Sequence, residues 1–397
     1  MRLLATSDWH LGKRLYGVDL TPYQARVLEV LLQWVAEDPP DALVMAGDLF
    51  DSLRPSGEAM RLLTHVLERL QELQVPFYLV AGNHDMPEMV GYLAPLLERF
   101  RIFSVGGLDE THPVRIFPLP DDVDLVAVPH LPRYRLRQLF HRLQLEGDPT
   151  MAAFYAWAVQ QVKDPSRALL LTHTHAVQGS VQDDPLETVG LVDPVPAEVF
   201  APWGLVVAGH LHRPQQIPDT PVWYPGSLLK YHPQESSHTK AVLEIQWQEN
   251  SPPEVSLRPL PQPLDFWVVR GQMQGATFRL SPTSPPPPEH ASCAVVQVVL
   301  EAPVGSGITL RDAVMEACRS QAPHMELVWG GILGTEAQGR LPAETEKVWV
   351  QQASPLELVQ RYLEERGYWE AWDAPTRTAI LELVKELLEG PHEVVEA

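Results

Sequence analysis

The amino-acid sequence predicts an α/β fold: a two-sheet sandwich flanked by helices, followed by a small α/β domain and a C-terminal helical pair. Three observations predict it. Over residues 1–130 short apolar runs alternate with amphipathic helical stretches, the pattern of a layered core with functional loops after its strands. After Gly209 the pattern changes to short strands such as Val222–Tyr224 and Ala241–Trp247, as on the far side of a sandwich. Beyond the proline-rich stretch Ser251–Pro263 a second set of strands and helices begins.

The first elements follow from composition and spacing. Arg2–Thr6, Ala42–Ala46, Phe77–Ala81 and Leu125–Pro129 are continuous apolar runs of buried-strand type. A helix between the first two is expected to start with Thr21 as N-cap and Pro22 at its first position, where a missing N–H costs nothing. Its apolar face is Val27, Val30, Leu31, Trp34 and Val35. A second helix carries Met60, Leu63, Leu67 and Leu70 at three- and four-residue spacing. Residues 140–165 read as helical, and Ala168–Thr172 and Leu205–Ala208 as strands. These elements make a first domain over 1–255. A second, over 264–350, has strands at Phe266–Arg270, Ala294–Glu301 and Met325–Trp329, a helix near Leu310–Arg319, and the low-complexity loop Ser281–Pro288. The third part, 354–390, opens on the capping box Ser354-Pro355-Leu356-Glu357. Leu356, Val359, Tyr362 and Leu363 stripe its first helix, and Ile380, Leu383, Val384, Leu387 and Leu388 its second. Such a pair docks on a partner or packs on its own chain, and periodicity does not separate the two.

Composition narrows the class. At 397 residues and 45% hydrophobic the chain can bury a large core. Its start is too short and too soon polar for a signal peptide, and no apolar run approaches a membrane span. Two cysteines, Cys293 and Cys318, are too few for a disulfide framework, so a cytoplasmic protein is expected. The formal net charge of −21 lacks the basic balance of a protein that holds DNA alone. Either the substrate is not nucleic acid, or the basic surface is local, or a partner supplies it.

Four polar clusters end apolar runs in order: Asp8-Trp9-His10, Gly47-Asp48-Leu49-Phe50-Asp51, Gly82-Asn83-His84-Asp85 and Gly209-His210-Leu211-His212. Strand ends on one edge would bring them into a common site. Carboxylate, amide and imidazole suit divalent ions such as Mn²⁺, and a pair of ions about 3.5–4 Å apart is the arrangement used for phosphoester displacement. Asp48, after Gly47 where the chain can turn sharply, is the candidate bridge. Asp8 and His10 would share a side of an extended chain, as would His210 and His212. Adjacent Asn83 and His84 would not, so Asn83 is assigned to metal and His84 to the substrate, with Asp85 orienting His84 or capping the loop. His173, at the end of its strand, completes the second metal, with His175 two residues on as the alternative. Trp9 and Phe50 read as packing residues, and Asp51 as loop support.

The order Asp-x-His, Gly-Asp, Gly-Asn-His-Asp, His, Gly-His-x-His resembles the calcineurin-like metallophosphoesterases, and hence their two-sheet sandwich. More narrowly, five segments are similar to the SbcD family of nuclease subunits. They are Ser7-Asp8-Trp9-His10-Leu11-Gly12, Ala46-Gly47-Asp48-Leu49-Phe50-Asp51, Gly82-Asn83-His84-Asp85, Gly209-His210-Leu211-His212-Arg213 and Tyr224-Pro225-Gly226-Ser227-Leu228. The resemblance implies a Mn²⁺-dependent 3′→5′ exonuclease on duplex DNA and endonuclease on single strands, with Mg²⁺ as the other candidate metal. It implies that Asp8, His10, Asp48 and His212 hold one metal, that Asp48, Asn83, His173 and His210 hold the other, and that His84 serves cleavage. It also implies a DNA-capping second domain and terminal helices that bind the coiled coil of SbcC, an ABC-type ATPase. The assembly would be a homodimer within a heterotetramer, nucleoid-associated and without membrane contact, working in DNA repair, recombination and replication. Lys13, Arg14 and Arg54 are the substrate-binding candidates, and Arg133, Arg135, Arg137 and Arg142 a phosphate track or a solvated helix face. The competing reading is a stand-alone two-metal esterase acting on a nucleotide, phosphoprotein or small phosphodiester.

Overall fold

The computed structural model describes residues 1–335 except 93, 179–191, 250, 275–276, 282–285, 288–290 and 301–309, and only the backbone of 332–335. The helical pair expected over 354–390 and most of the loop Ser281–Pro288 lie outside the described residues.

Two six-stranded sheets face each other. In the first, β1 (Arg2–Thr6), β2 (Ala42–Met45), β3 (Phe77–Val80) and β4 (Ile102–Val105) run parallel. In the second, β5 (Arg115–Leu119) edges a parallel run of β6 (Val123–Val128), β7 (Ala168–His173), β8 (Leu205–Gly209) and β10 (Val222–Tyr224), with the short β9 (Gln215–Gln216) antiparallel on the outer side of β10. The chain then returns to the first sheet: β11 (Ala241–Gln246) pairs antiparallel with β1, and β12 (Glu254–Pro259) with β11. Leu3, Ala5, Val44, Val80, Leu125, Leu169, Leu171, Val207 and Leu243 fill the space between the sheets. Both faces of the central strands are therefore buried, which is why they read as unbroken apolar runs.

Helices cover the outer faces. Helix α1 (Thr21–Glu37) lays Val27, Leu31 and Val35 on the first sheet, with Val30 and Trp34 half-buried at its margin. Its start differs by one residue from expectation. Thr21 is already helical, and Asp19 accepts from its backbone N–H (2.9 Å) and hydroxyl (2.7 Å). Helix α2 (Gly57–Glu72) is capped by Ser56 and buries Ala59, Leu62, Val66 and Leu70, leaving Met60 exposed. Of the expected stripe Leu70 is fully buried, while Ala59, Leu62 and Val66 take the inner positions expected for Met60, Leu63 and Leu67. On the second sheet the expected helix is two, α3 (Arg133–Leu143) and α4 (Met151–Ala158), interrupted before the Thr150 cap.

A third, four-stranded sheet follows: β13 (Leu264–Gln274), β14 (Thr277–Leu280), β15 (Cys293–Leu300) and β16 (Glu326–Thr335), covered by α5 (Leu310–Gln321). Its near end shares a core with α1 through Leu264, Phe266, Cys293 and Val295. Lys230 fastens it, with Nζ 2.8 and 2.9 Å from the two Asp265 oxygens and both residues buried. Asp265→Ala would leave the buried ammonium without its counter-ion. The expected loss is about 3–5 kcal/mol in urea unfolding; a loss below about 1 kcal/mol would mean that the Ser236 carbonyl, also bonded to Lys230, suffices.

Candidate metal centre

The parallel strands of both sheets end at one edge, and the polar clusters meet there. Backbone bonds lock the first two: Asp8 N–H donates to the Gly47 carbonyl and His10 N–H to that of Asp48, each at 3.0 Å. The sheets are joined by His173, whose Nδ1–H donates to the Ala46 carbonyl at 2.9 Å, and by the His210 N–H, which donates to Asp8 Oδ1 at 3.0 Å.

The chain turns hard to do this. Asp8 (φ 50°), His10 (φ 44°), Asp48 (φ 52°) and His210 (φ 108°) all have positive φ. Four such non-glycine residues at one spot store strain that the surroundings must hold, a pattern concentrated at functional sites. It also corrects the extended-chain argument for the Asp8–His10 and His210–His212 pairs: these residues converge through left-handed turns rather than strand alternation. Gly47 (φ 87°) is required twice over, since a Cβ there would also lie 2.5 Å from His173 Nδ1. At Gly82 a Cβ would lie 2.1 Å from Asp48 Oδ1.

Three overlapping trios bring their ligand atoms within 4.8 Å of one another: Asp8, His10 and His212; Asp8, Asp48 and His173; and His10, Asp48 and His84. Asp48 is 3.7 Å from His10 Nε2 and 3.6 Å from His173 Nε2, midway between the two groups. Asn83 Oδ1 lies 2.9 Å from His173 Nε2. His173, rather than His175, holds this position; the His175 ring packs beside His210 at 5.5 Å. The His210 Nε2 is buried with no hydrogen-bond partner.

Charge and tautomer both fit divalent cations. Burial raises the Asp48 carboxyl to about 6 and, with the Asp48 charge beside it, lifts Asp8 well above the ordinary carboxylate range. Burial drives His173 down to about 4 and holds His10 and His210 well below the ordinary imidazole value. The pocket thus gathers the imidazoles of His10, His173 and His210, held neutral by burial, around the two buried carboxylates. Because its Nδ1–H is given to Ala46, His173 must turn a lone pair toward Asn83 Oδ1. In the same way His212 gives Nδ1–H to Glu235 Oε1 (3.0 Å) and turns its Nε2 toward His10 Nε2, 3.2 Å away. Two acceptors facing each other, as the His173 lone pair and Asn83 Oδ1 do at 2.9 Å, repel unless a cation is shared, whereas His10 with its proton on Nε2 can donate to His212 Nε2.

The remaining candidates separate by position. His84 is half-buried beside this pocket; Nδ1 donates to the Asp51 carbonyl (3.0 Å) and its backbone N–H to Asp48 Oδ1 (2.9 Å), bonds that do not use Nε2. Asp85 accepts backbone N–H groups of Leu49 (3.0 Å), Phe50 (2.9 Å) and Gly82 (2.8 Å), which spends its carboxylate on pinning two loops together. Burial raises it to about 6. Lys13 bonds Asp51 at 2.7 Å at the rim, Arg14 bonds the Gly17 carbonyl, and both Arg14 and Arg54 are exposed. Arg133, Arg135 and Arg142 are paired with Asp193, Glu88 and Glu110, so most of that arginine run is already neutralised. Trp9 is fully buried against Phe77, and Phe50 is buried as well.

Several site residues escaped the sequence reading. Gln24 Nε2 donates to the Trp9 (3.0 Å) and His10 (2.8 Å) carbonyls, and Tyr231 Oη to that of Trp9 (2.5 Å). Glu235 and Lys240 stand behind His212. His130 brings its ring within 6.5 Å of His173, and burial lowers it to about 4. Its signal was available, since it follows the end of β6 as His173 ends β7.

Residues 1–214 match the family model described as Calcineurin-like phosphoesterase. The chain belongs to the calcineurin-like phosphoesterase family. It is a metal-dependent phosphoester hydrolase, and the sandwich expected from its motifs is the fold observed. It is also 29% identical over 283 residues to the D subunit of the nuclease SbcCD from Staphylococcus saprophyticus, covering 70% of this chain and 73% of that one, which bears out the narrower resemblance. Among solved structures it is similar to a dimetal phosphatase from Danio rerio (16% identity, 65% of this chain, 96% of that one, TM-score 0.43). It is also similar to the protein TT1561 of Thermus thermophilus (17% identity, 64% of this chain, 98% of that one, TM-score 0.36). Both likenesses are too slight to bear on function. Among the described residues no helix is long and apolar enough to cross a membrane.

Proposed function

We propose that this chain is the nuclease subunit of an SbcCD-type complex, a Mn²⁺-dependent 3′→5′ exonuclease on duplex DNA and endonuclease on single strands. The observation that carries the reading is the paired ligand set meeting at one sheet edge, with His84 beside it, in a chain related to an SbcCD nuclease subunit. Asp8, His10, Asp48 and His212 would hold one ion, and Asp48, Asn83, His173 and His210 the other. Ions held there supply Lewis-acid stabilisation of the charge that develops on a phosphodiester during displacement.

The chain's own residues do the rest. Asp48 sets the two halves of the pocket in register, and Asp85 fixes the two loops that carry Asp48 and His84. His84, oriented by its Nδ1–H on the Asp51 carbonyl, would as the imidazolium pass its Nε2 proton to the departing sugar oxygen and be left neutral. Lys13, already paired with Asp51, and the exposed Arg14 and Arg54 would be the residues that meet the substrate's phosphates. The partner would be an SbcC-type ABC ATPase, bound through the C-terminal helices and sharing the DNA, with two copies of this chain per assembly.

The test is cleavage of end-labelled duplex and single-stranded DNA with Mn²⁺ or Mg²⁺, with and without the ATPase. Mn²⁺-dependent shortening of the duplex is expected. Intact DNA under all conditions, with hydrolysis of bis(p-nitrophenyl) phosphate, would instead establish the stand-alone esterase. The net charge of −21 and the neutralised arginines of α3 favour that second reading.

A further inference from the structure

We infer that the strap between β10 and β11, residues 226–240, is a positioning element for one of the two metals only, acting through Glu235 on His212. The inference rests on the metal reading above. Glu235 Oε1 accepts His212 Nδ1–H at 3.0 Å, while Oε2 accepts the Lys240 ammonium at 2.6 Å and the Tyr231 N–H at 3.1 Å. Lys240 is fully buried and also donates to the His212 carbonyl (2.7 Å) and Ser227 Oγ (2.9 Å). His212 is thus held at both its ring and its backbone by one ion pair. A carboxylate behind a ligating imidazole fixes the tautomer, aims the other nitrogen and raises its basicity.

Burying an ion pair is a poor way to stabilise a fold, because desolvation cancels most of the attraction. Both members of this pair bond His212, Glu235 at its ring and Lys240 at its carbonyl. The strap also reaches His10, the other imidazole of the same group: Tyr231 Oη and Gln24 Nε2 are 3.1 Å apart and together bond the carbonyls of Trp9 and His10. The second group is held differently, with His173 giving Nδ1–H to the Ala46 carbonyl and turning Nε2 to Asn83 Oδ1. The two sites therefore have separate supports, and weakening the strap should affect one.

The experiment is calorimetric titration of the full chain with MnCl₂ alone, comparing wild type with Glu235→Gln, Glu235→Asp and the double variant Glu235→Gln/Lys240→Met. The double variant removes both buried charges, and the aspartate keeps the ion pair while withdrawing from His212. In each, one of two Mn²⁺ is expected to bind about 10–100-fold more weakly, the other unchanged, with the circular dichroism of the metal-free protein retained. Wild-type affinity at both sites, equal weakening of both, or unfolding of all three variants would overturn the strap's role. A wild type that binds no Mn²⁺ would overturn the metal reading beneath it, a separate failure.

Discussion

Asp48→Ala is expected to abolish phosphodiester hydrolysis, by more than the ~10²–10⁴-fold that losing one acid–base group costs, because it removes the group common to both halves of the pocket. Asp48 lies 3.7 Å from His10 Nε2 and 3.6 Å from His173 Nε2, and it also accepts the His84 N–H. One truncation therefore empties both metal positions and frees the histidine beside them. The metal-free fold should not suffer in proportion. Burial raises the Asp48 carboxyl to about 6. A carboxyl whose folded pKa exceeds its unfolded value binds its proton more tightly when folded, so above that pH its charge weighs against folding. Asp48→Asn should accordingly melt no lower than wild type without metal at pH 7.5, and should lose the rise in melting temperature that Mn²⁺ gives the wild type. Thermal melts with and without Mn²⁺, together with metal analysis, check this. A Mn²⁺-dependent rise that survives in the asparagine variant would show that Asp48 is not shared.

Residues that announce their chemistry by position were legible in the sequence. Asp8, Asp48, Asn83, His173 and His210 each follow or end a buried strand, and parallel strands that start together must deliver their ends together. His84 was expected beside the pocket next to Asn83, but residues 83–85 form a bend, so the extended-chain argument that set the two apart does not hold there either. The supports were not legible. Glu235 sits in Pro233-Gln234-Glu235-Ser236-Ser237, a turn-like stretch that any surface could carry, and its target is 23 residues away in the chain. Gln24 looks like one more polar residue of an amphipathic helix, yet it is buried against the His10 carbonyl. The left-handed backbone at Asp8, His10 and His210 is not legible locally, because the groups that hold it (Gly47, Asp48 and Asp8) are distant in the chain. Strand β12 was hidden for a different reason: it is an edge strand with mostly exposed side chains and a proline at its end, which an edge tolerates and a central strand does not.

His84→Ala is expected to keep both metals and lose about 10²–10⁴-fold in the rate of DNA cleavage. Two contacts argue for a role on the substrate. Nδ1–H is committed to the Asp51 carbonyl, which fixes the ring and leaves Nε2 free to meet an incoming group. The backbone N–H, which survives in alanine, is what touches Asp48, so the truncation leaves that carboxylate in place. His84 also belongs to a trio with His10 and Asp48 whose ligand atoms lie close together, so the geometry alone admits it as a ligand. Two measurements decide. Titration with Mn²⁺ should give the wild-type stoichiometry and affinities in the variant; loss of an ion would make His84 a ligand. The leaving group then tests the proton. A deoxyribose alkoxide needs one to depart, whereas p-nitrophenolate, a far weaker base, does not. If His84 protonates the leaving oxygen, the variant should lose much less on bis(p-nitrophenyl) phosphate than on DNA. Equal losses on both would place its contribution on the phosphoryl charge, through Nε2 as a hydrogen-bond donor, and remove the general-acid assignment.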